Sequence, residues 1–146
     1  MLLLIDTSDY NGLHFALVPD AKSGKPTKEF RRQLAFNENY KTLELLKKFL
    51  RTNKITPTKI DKIIVCSGPG SFTGIRVGIA LAQAMGFALN IPVVAIPKEK
   101  IPAGGKNLAQ LWKLKPAKKL ILNYGREPNI TVTKKSMKKI GKKKSL

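Results

Sequence analysis

A chain of 146 residues, 42% of them apolar, is the size of a single domain with enough apolar material for a packed core, which excludes a wholly disordered protein. Its formal charge of +19 is unevenly spread, with 13 basic and 7 acidic residues up to Ile96 but 15 basic and 2 acidic from Pro97 onward, and such a cationic end attracts polyanions by counterion release. Cys66 is the only cysteine, which excludes an internal disulfide and suits a reducing compartment.

The opening Met1–Ile5 has no basic flank, and Asp6 ends the apolar run too early for a signal peptide. The longest apolar stretch, Val77 to Leu89, contains Gln83 and falls short of the roughly 20 residues a membrane span needs, so a cytoplasmic protein without membrane contact is expected.

In chain order, Leu2–Asp6 reads as a buried first strand. The turn residues Asp9–Gly12 allow Leu13–Val18 to return antiparallel. After a loop from Pro19 to Pro26, Phe30–Phe36 reads as a third strand with Arg31 and Arg32 exposed. Helical spacing begins near Asn37. Tyr40, Leu43, Leu46 and Leu50, widened by Leu45 and Phe49, cover an apolar arc of about 220°, roughly twice what an ordinary surface helix needs. Lys41, Glu44, Lys47, Lys48 and Arg51 occupy the remainder. Pro57 breaks the chain, and Lys62–Cys66 reads as a central strand. The loop Ser67–Ser71 leads to a second helix, Phe72–Leu89, stopped by Asn90 and Pro92, and a strand follows at Pro92–Ile96. This order predicts an α/β layered domain with helices packed on a mixed sheet. Further on, Asn107–Leu114 is a candidate short helix and Lys119–Asn123 a candidate strand. Thr133–Leu146, with seven Lys and no acid, is expected to be disordered in isolation.

Three features bear on function. The loop Ser67-Gly68-Pro69-Gly70-Ser71-Phe72-Thr73-Gly74 has two readings. Backbone N–H groups with the hydroxyls of Ser71 and Thr73 suit an anion; alternatively the glycines permit a turn while Ser71 or Thr73 caps the helix. It lacks the Gly-Lys-Ser/Thr of a Walker loop and the spacing of a dinucleotide fingerprint. Asp6 and Asp9 bracket Thr7-Ser8, which suits either Mg²⁺ with phosphate or a plain strand-end turn, and Arg76 suits a phosphate or a salt bridge to Asp6 or Asp9. His14 is the only histidine, so His-based metal or nucleophile chemistry has almost no material; it is expected to be half-exposed and structural, and Cys66 buried and inert. Finally, no residue from Val77 to Leu89 is charged, and the helix is apolar all round. Either the two helices satisfy each other within one small domain, or their surplus surface is covered by a partner.

Gly68-Pro69-Gly70-Ser71-Phe72-Thr73-Gly74-Ile75-Arg76-Val77-Gly78 closely resembles the signature of the bacterial TsaB (YeaZ) family. Leu4-Ile5-Asp6-Thr7-Ser8 resembles that family's first strand, Asn90-Ile91-Pro92-Val93-Val94-Ala95 the segment after the signature helix, and residues 123–131 its C-terminal Tyr-x-Arg-x-Pro stretch. The resemblance implies an actin-like (ASKHA, ribonuclease H-like) fold. It also implies a non-catalytic role supporting a TsaD-like catalytic paralogue that makes N6-threonylcarbamoyladenosine in tRNA next to the anticodon. A TsaE-like ATPase and the enzyme supplying threonylcarbamoyl-adenylate complete the implied set. Dimerisation with TsaD in this family uses the first two helices, here Asn37–Asn53 and Phe72–Leu89, so the resemblance places the partner interface at Tyr40, Leu43, Leu46, Phe49, Leu50, Ile75, Ile79, Ala82 and Gly86. A homodimer is expected when the chain is alone.

Family members carry two tandem actin-like halves, whereas about 50 residues stand here where the second would be. The expected organisation is an actin-like N-terminal half over 1–97, a shortened remnant of the second over 98–132, and a Lys-rich tail over 133–146 that suits tRNA. Nucleotide in this fold sits between the halves, so no cofactor is expected in this chain and ATP with Mg²⁺ is assigned to partners; Asp6, Thr7, Ser8, Gly68, Gly70, Ser71 and Thr73 remain the candidate phosphate-facing set. Asn39-Tyr40 stands where the family has His-Ser, which excludes a metal role there. The competing functions are a small actin-like ATP-binding phosphotransferase and a basic RNA-binding protein.

Overall fold

In a computed structural model of the chain the described residues are 1–20, 22, 27–35 and 37–116. The strand expected at Lys119–Asn123, the 123–131 stretch and the Lys-rich tail lie outside them. Five strands form one mixed sheet: β1 (Leu2–Asp6), β2 (Gly12–Val18), β3 (Lys28–Gln33), β4 (Lys62–Cys66) and β5 (Val93–Ile96), in the order β3-β2-β1-β4-β5. The first three make an antiparallel meander, with Leu4 opposite Ala16 and Phe15 opposite Phe30. β4 and β5 add in parallel, with Leu3 beside Ile63 and Ile64 beside Val94. Helix α1 (Thr42–Thr52) and helix α2 (Phe72–Leu89) supply the crossovers that parallel pairing requires.

The two faces of the sheet explain why β1 and β4 are apolar nearly throughout. Leu3, Ile5, Leu13, Phe15, Leu17, Ile63 and Val65 point toward α1 and α2. Leu2, Leu4, Ala16, Val18, Ile64, Val94 and Ile96 point the other way, onto Leu108 and Leu111 of a 3₁₀ turn, Leu108–Lys113, flanked by Ile101, Trp112 and Leu114. The Trp112 indole donates to Pro19 O at 3.1 Å, and the nearly buried Lys62 ammonium donates to Trp112 O at 2.9 Å and to Leu114 O. Residues 98–114 thus complete the second core.

Two expected elements shift. The third strand runs Lys28–Gln33 rather than Phe30–Phe36. Leu34 leaves the strand line to bury itself, its N–H donating to Asn11 O at 2.7 Å, and Asn37 turns the chain with φ 62°. The helix expected from Asn37 begins as a tight 3₁₀ turn, Glu38–Lys41, before α1 proper starts at Thr42. Glu38 fixes that turn by accepting from Ala35 N at 2.8 Å, and Thr42 Oγ1 donates to Asn39 O at 2.7 Å. The exposed Arg31-Arg32 pair sits on edge strand β3, while Phe30 stacks within 6.0 Å of Phe15 and 5.9 Å of Phe49, pinning α1 over the edge.

Candidate functional site

The end of β1, the Ser67–Ser71 loop and the start of α2 form one tightly tied junction. Ser71 caps α2 through its side chain, Oγ accepting from Gly74 N at 3.1 Å, and Ser71 N donates to Ser8 O at 2.7 Å. Thr7 Oγ1 donates to Gly74 O at 2.6 Å, and Ser8 uses both N (3.0 Å) and Oγ (2.6 Å) to donate to Asp6 Oδ1. The glycines here are matters of space. A Cβ on Gly74 would lie 2.1 Å from Thr7 O, and one on Gly78 would lie 2.2 Å from Thr7 Oγ1. Gly70, with φ 157°, brings the loop equally close to Ser8 O. Of the candidate phosphate-facing set, Asp6, Thr7, Ser8, Gly70 and Ser71 are therefore brought together but spend these groups on one another, while Thr73 faces solvent. Gly68 O accepts from Lys98 N at 2.8 Å, joining the loop to the segment after β5. The Arg76 guanidinium lies 3.9 Å from the centroid of the Phe72 ring.

Beside this junction a cleft of about 480 Å³ is lined by Asp6, Asp9, Asn11, Gly12, His14, Arg31, Arg32 and Lys98. The Lys98 ammonium reaches in from beyond β5, 3.2 Å from Ser8 Oγ and 4.0 Å from Asp6 Oδ2. A cation already built into the chain thus faces the carboxylate that would hold Mg²⁺, and Asp6 Oδ1 is committed to Ser8. Asp9 accepts from Asn11 N at 3.1 Å, as a plain strand-end turn requires. These residues do not fit a Mg²⁺–phosphate site centred on Asp6. Cys66, at the end of β4, is buried, and burial pushes its thiol up to about 11, with Asp6 adding to the effect; it is chemically quiet.

His14 departs from the half-exposed position expected of it: only 6% exposed, it lies on interior strand β2 facing Asp6 on β1 and Arg31 on β3. Its Nε2 has no hydrogen-bond partner among the described residues, Glu29 Oε2 being 3.7 Å away. Burial, reinforced by Arg31, holds its pKa below 6.5 against weaker opposing pulls from Glu29 and Asp6. The unfolded chain therefore binds this proton more tightly than the fold does. His14 contributes its full stability above about pH 6.5 and loses it as pH falls toward the lower folded value. Urea midpoints measured between about pH 7 and about pH 5 are expected to fall, and His14→Gln to flatten that decline; parallel profiles for the two proteins would refute the assignment.

On the helices, most residues of the expected interface are packed inside the chain itself. Leu46, Phe49 and Leu50 of α1 and Ile75, Ile79, Ala82 and Gly86 of α2 are buried against the chain's own sheet and one another. Gly86 is small because β5 is close: a Cβ there would meet Val93 Cγ2 at 2.3 Å. Tyr40 (76% exposed) and Leu43 (48%) do face outward. The expected interface set leaves out the outer face of α2, where half-buried Val77 and exposed Ala80, Ala84, Phe87 and Ala88 share an arc of about 100°. Phe87 is 92% exposed. The turn bearing Tyr40 and helix α1 both contact α2, so Tyr40 and Leu43 lie on elements packed against the helix that carries Phe87. Among the described residues α2 alone has the length and hydropathy of a bilayer-crossing helix, yet its Gly74–Gly86 face is packed on the sheet.

Comparison with known proteins agrees with this architecture. Residues 37–143 match the family model described as TsaD, tRNA N6-adenosine threonylcarbamoyltransferase. The chain is 32% identical over 107 residues to the tRNA threonylcarbamoyladenosine biosynthesis protein TsaB of Bacillus subtilis, a match covering 73% of this chain and 45% of that protein. It is 41% identical over 56 residues to the protein of the same name from Buchnera aphidicola, covering 38% and 27% respectively. The solved structure of YeaZ from Pseudomonas aeruginosa superposes with a TM-score of 0.58 at 28% identity, over 66% of this chain and 43% of that one. In each case less than half of the known protein is matched. The mixed sheet, the two helices and the Gly68–Gly78 junction accordingly make an actin-like α/β fold, and this chain belongs to the TsaB/YeaZ family.

Proposed function

We propose that the chain is a non-catalytic partner subunit that supports a TsaD-like enzyme in forming N6-threonylcarbamoyladenosine next to the anticodon of tRNA, in the cytoplasm. The observation that carries this reading is the outer face of α2. A monomer has little reason to present Phe87 and three alanines as a continuous exposed apolar stripe beside Tyr40 and Leu43. Small residues let a partner helix approach closely, and flanking aromatics supply anchors. The family membership supports a TsaD-like protein as the partner of this stripe. ATP and Mg²⁺ are assigned to that partner and to a TsaE-like ATPase, in keeping with Lys98 facing Asp6. Without its partner, the same stripe favours a homodimer. The organisation that accompanies this reading is an actin-like half with residues 98–132 as a remnant of the second and 133–146 as a tail.

The test is co-expression of the chain with the TsaD-like paralogue of the same genome, followed by size-exclusion chromatography and nucleoside analysis of tRNA. Co-elution at the mass of a complex, with threonylcarbamoyladenosine formed only when both chains are present, is expected. Separate elution, or modification that proceeds equally without this chain, would refute the proposal.

A further inference from the structure

A second surface of α1 faces away from the apolar stripe. A groove of about 430 Å³ runs between this helix and edge strand β3, with Leu45 in its wall and Arg32, Lys41, Lys47, Lys48 and Arg51 along its sides. Among the described residues Glu44 is its only acidic lining residue. Lys41 pairs with Glu38 at 2.5 Å; among the described residues no salt bridge engages Arg32, Lys47, Lys48 or Arg51. Five cations against one lining acid, Glu44, leave the groove with an excess of positive charge, an arrangement that gains when a polyanion enters.

We propose that this groove binds the phosphate backbone of RNA. Within the reading given above, the RNA is the tRNA on which the complex acts. The length fits a polymer: from Lys41 to Arg51 the helix rises about 15 Å, enough to meet several successive phosphates. An acidic protein segment is the weaker fit. Protein interfaces are anchored by buried aromatic and apolar side chains, and the exposed ones here, Tyr40 and Leu43, belong to the layer shared with α2. Among the described residues no aromatic ring lines the groove, which suits contact with phosphates rather than bases.

The experiment measures binding of the full chain to an unmodified tRNA transcript by fluorescence anisotropy, between about 50 and about 200 mM salt. Three proteins are compared: wild type, the triple variant Arg32→Gln/Lys48→Gln/Arg51→Gln, and a full-length variant with the seven lysines of 133–146 replaced by Gln. The triple variant alters exposed side chains only, so its unfolding midpoint should match wild type. It is expected to bind at least about tenfold more weakly at the lowest salt and to reduce the slope of log K against log salt by about 2 to 3. Polyglutamate should displace the RNA far less well than unlabelled tRNA does. An unchanged slope in the triple variant overturns the proposal, as does a loss confined to the tail variant. Equal competition by polyglutamate also overturns it, in favour of an acidic protein partner. Because the chain is measured alone, a positive result stands even if no complex with a TsaD-like protein forms.

Discussion

Gly74→Ala is expected to lower stability by at least about 3 kcal/mol in urea unfolding, although alanine is the better helix former by about 1 kcal/mol. The new Cβ would sit 2.1 Å from Thr7 O, and backbone at the end of a central strand cannot rotate away. Helix α2 would have to lift from β1, breaking the 2.6 Å bond from Thr7 Oγ1 to Gly74 O and loosening Ile75 and Ile79 from the core. Gly78→Ala meets a different obstacle, the Thr7 hydroxyl itself at 2.2 Å. Removing that hydroxyl with Thr7→Ala should reduce the cost of Gly78→Ala by about 1 kcal/mol, while Gly74→Ala remains severely destabilised in the same background. A normal midpoint for Gly74→Ala would show that the helix does not rest on the strand as described.

This junction was legible in the sequence as a glycine-rich strand-to-helix turn, but not its bonding. Sequence narrowed the cap to Ser71 or Thr73, since capping is local, and the structure places it at Ser71. That Thr7 and Ser8 spend their hydroxyls within the junction is not local, because Thr7 and Gly74 lie 67 residues apart. Lys98 arriving 3.2 Å from Ser8 Oγ is equally remote. The reading of Asp6 as a metal ligand weakens only when that ammonium is placed in three dimensions.

Periodicity succeeded for α1 and α2 as elements but left their faces unassigned. A wide apolar arc records that a helix touches something on two sides; it does not say whether the second contact is its own sheet, its neighbouring helix or another protein. Leu46, Phe49 and Leu50 fill the sheet-facing core, and Ala80, Ala84 and Phe87, less conspicuous as letters, are what remains outside. The stretch from Lys98 to Leu114 offered only a candidate short helix, Asn107–Leu114, where a 3₁₀ turn, Leu108–Lys113, forms. Its 3₁₀ turns are short and interrupted by Gly104 at φ 66°, so no helical period accumulates even though Leu108 and Leu111 close the second core.

If the outer face of α2 is the docking surface, Ala84→Arg should abolish co-purification with the TsaD-like protein, and Phe87→Asp should weaken it at least about 100-fold. Both positions are exposed, so the unfolding midpoint should move by less than about 0.5 kcal/mol, separating loss of a contact from loss of the fold. Substituting Leu46 could not make that distinction, since at 1% exposure its removal damages the core first. The groove variants provide the opposite control. Arg32→Gln/Lys48→Gln/Arg51→Gln should leave the complex intact, because those side chains line the β3 side of α1 and not the apolar layer shared with α2. Ala84→Arg should in turn leave the salt dependence of RNA binding unchanged. Retention of the complex by both Ala84→Arg and Phe87→Asp would remove α2 from the interface; loss of the complex in the groove variant instead would place the partner on the basic side of α1.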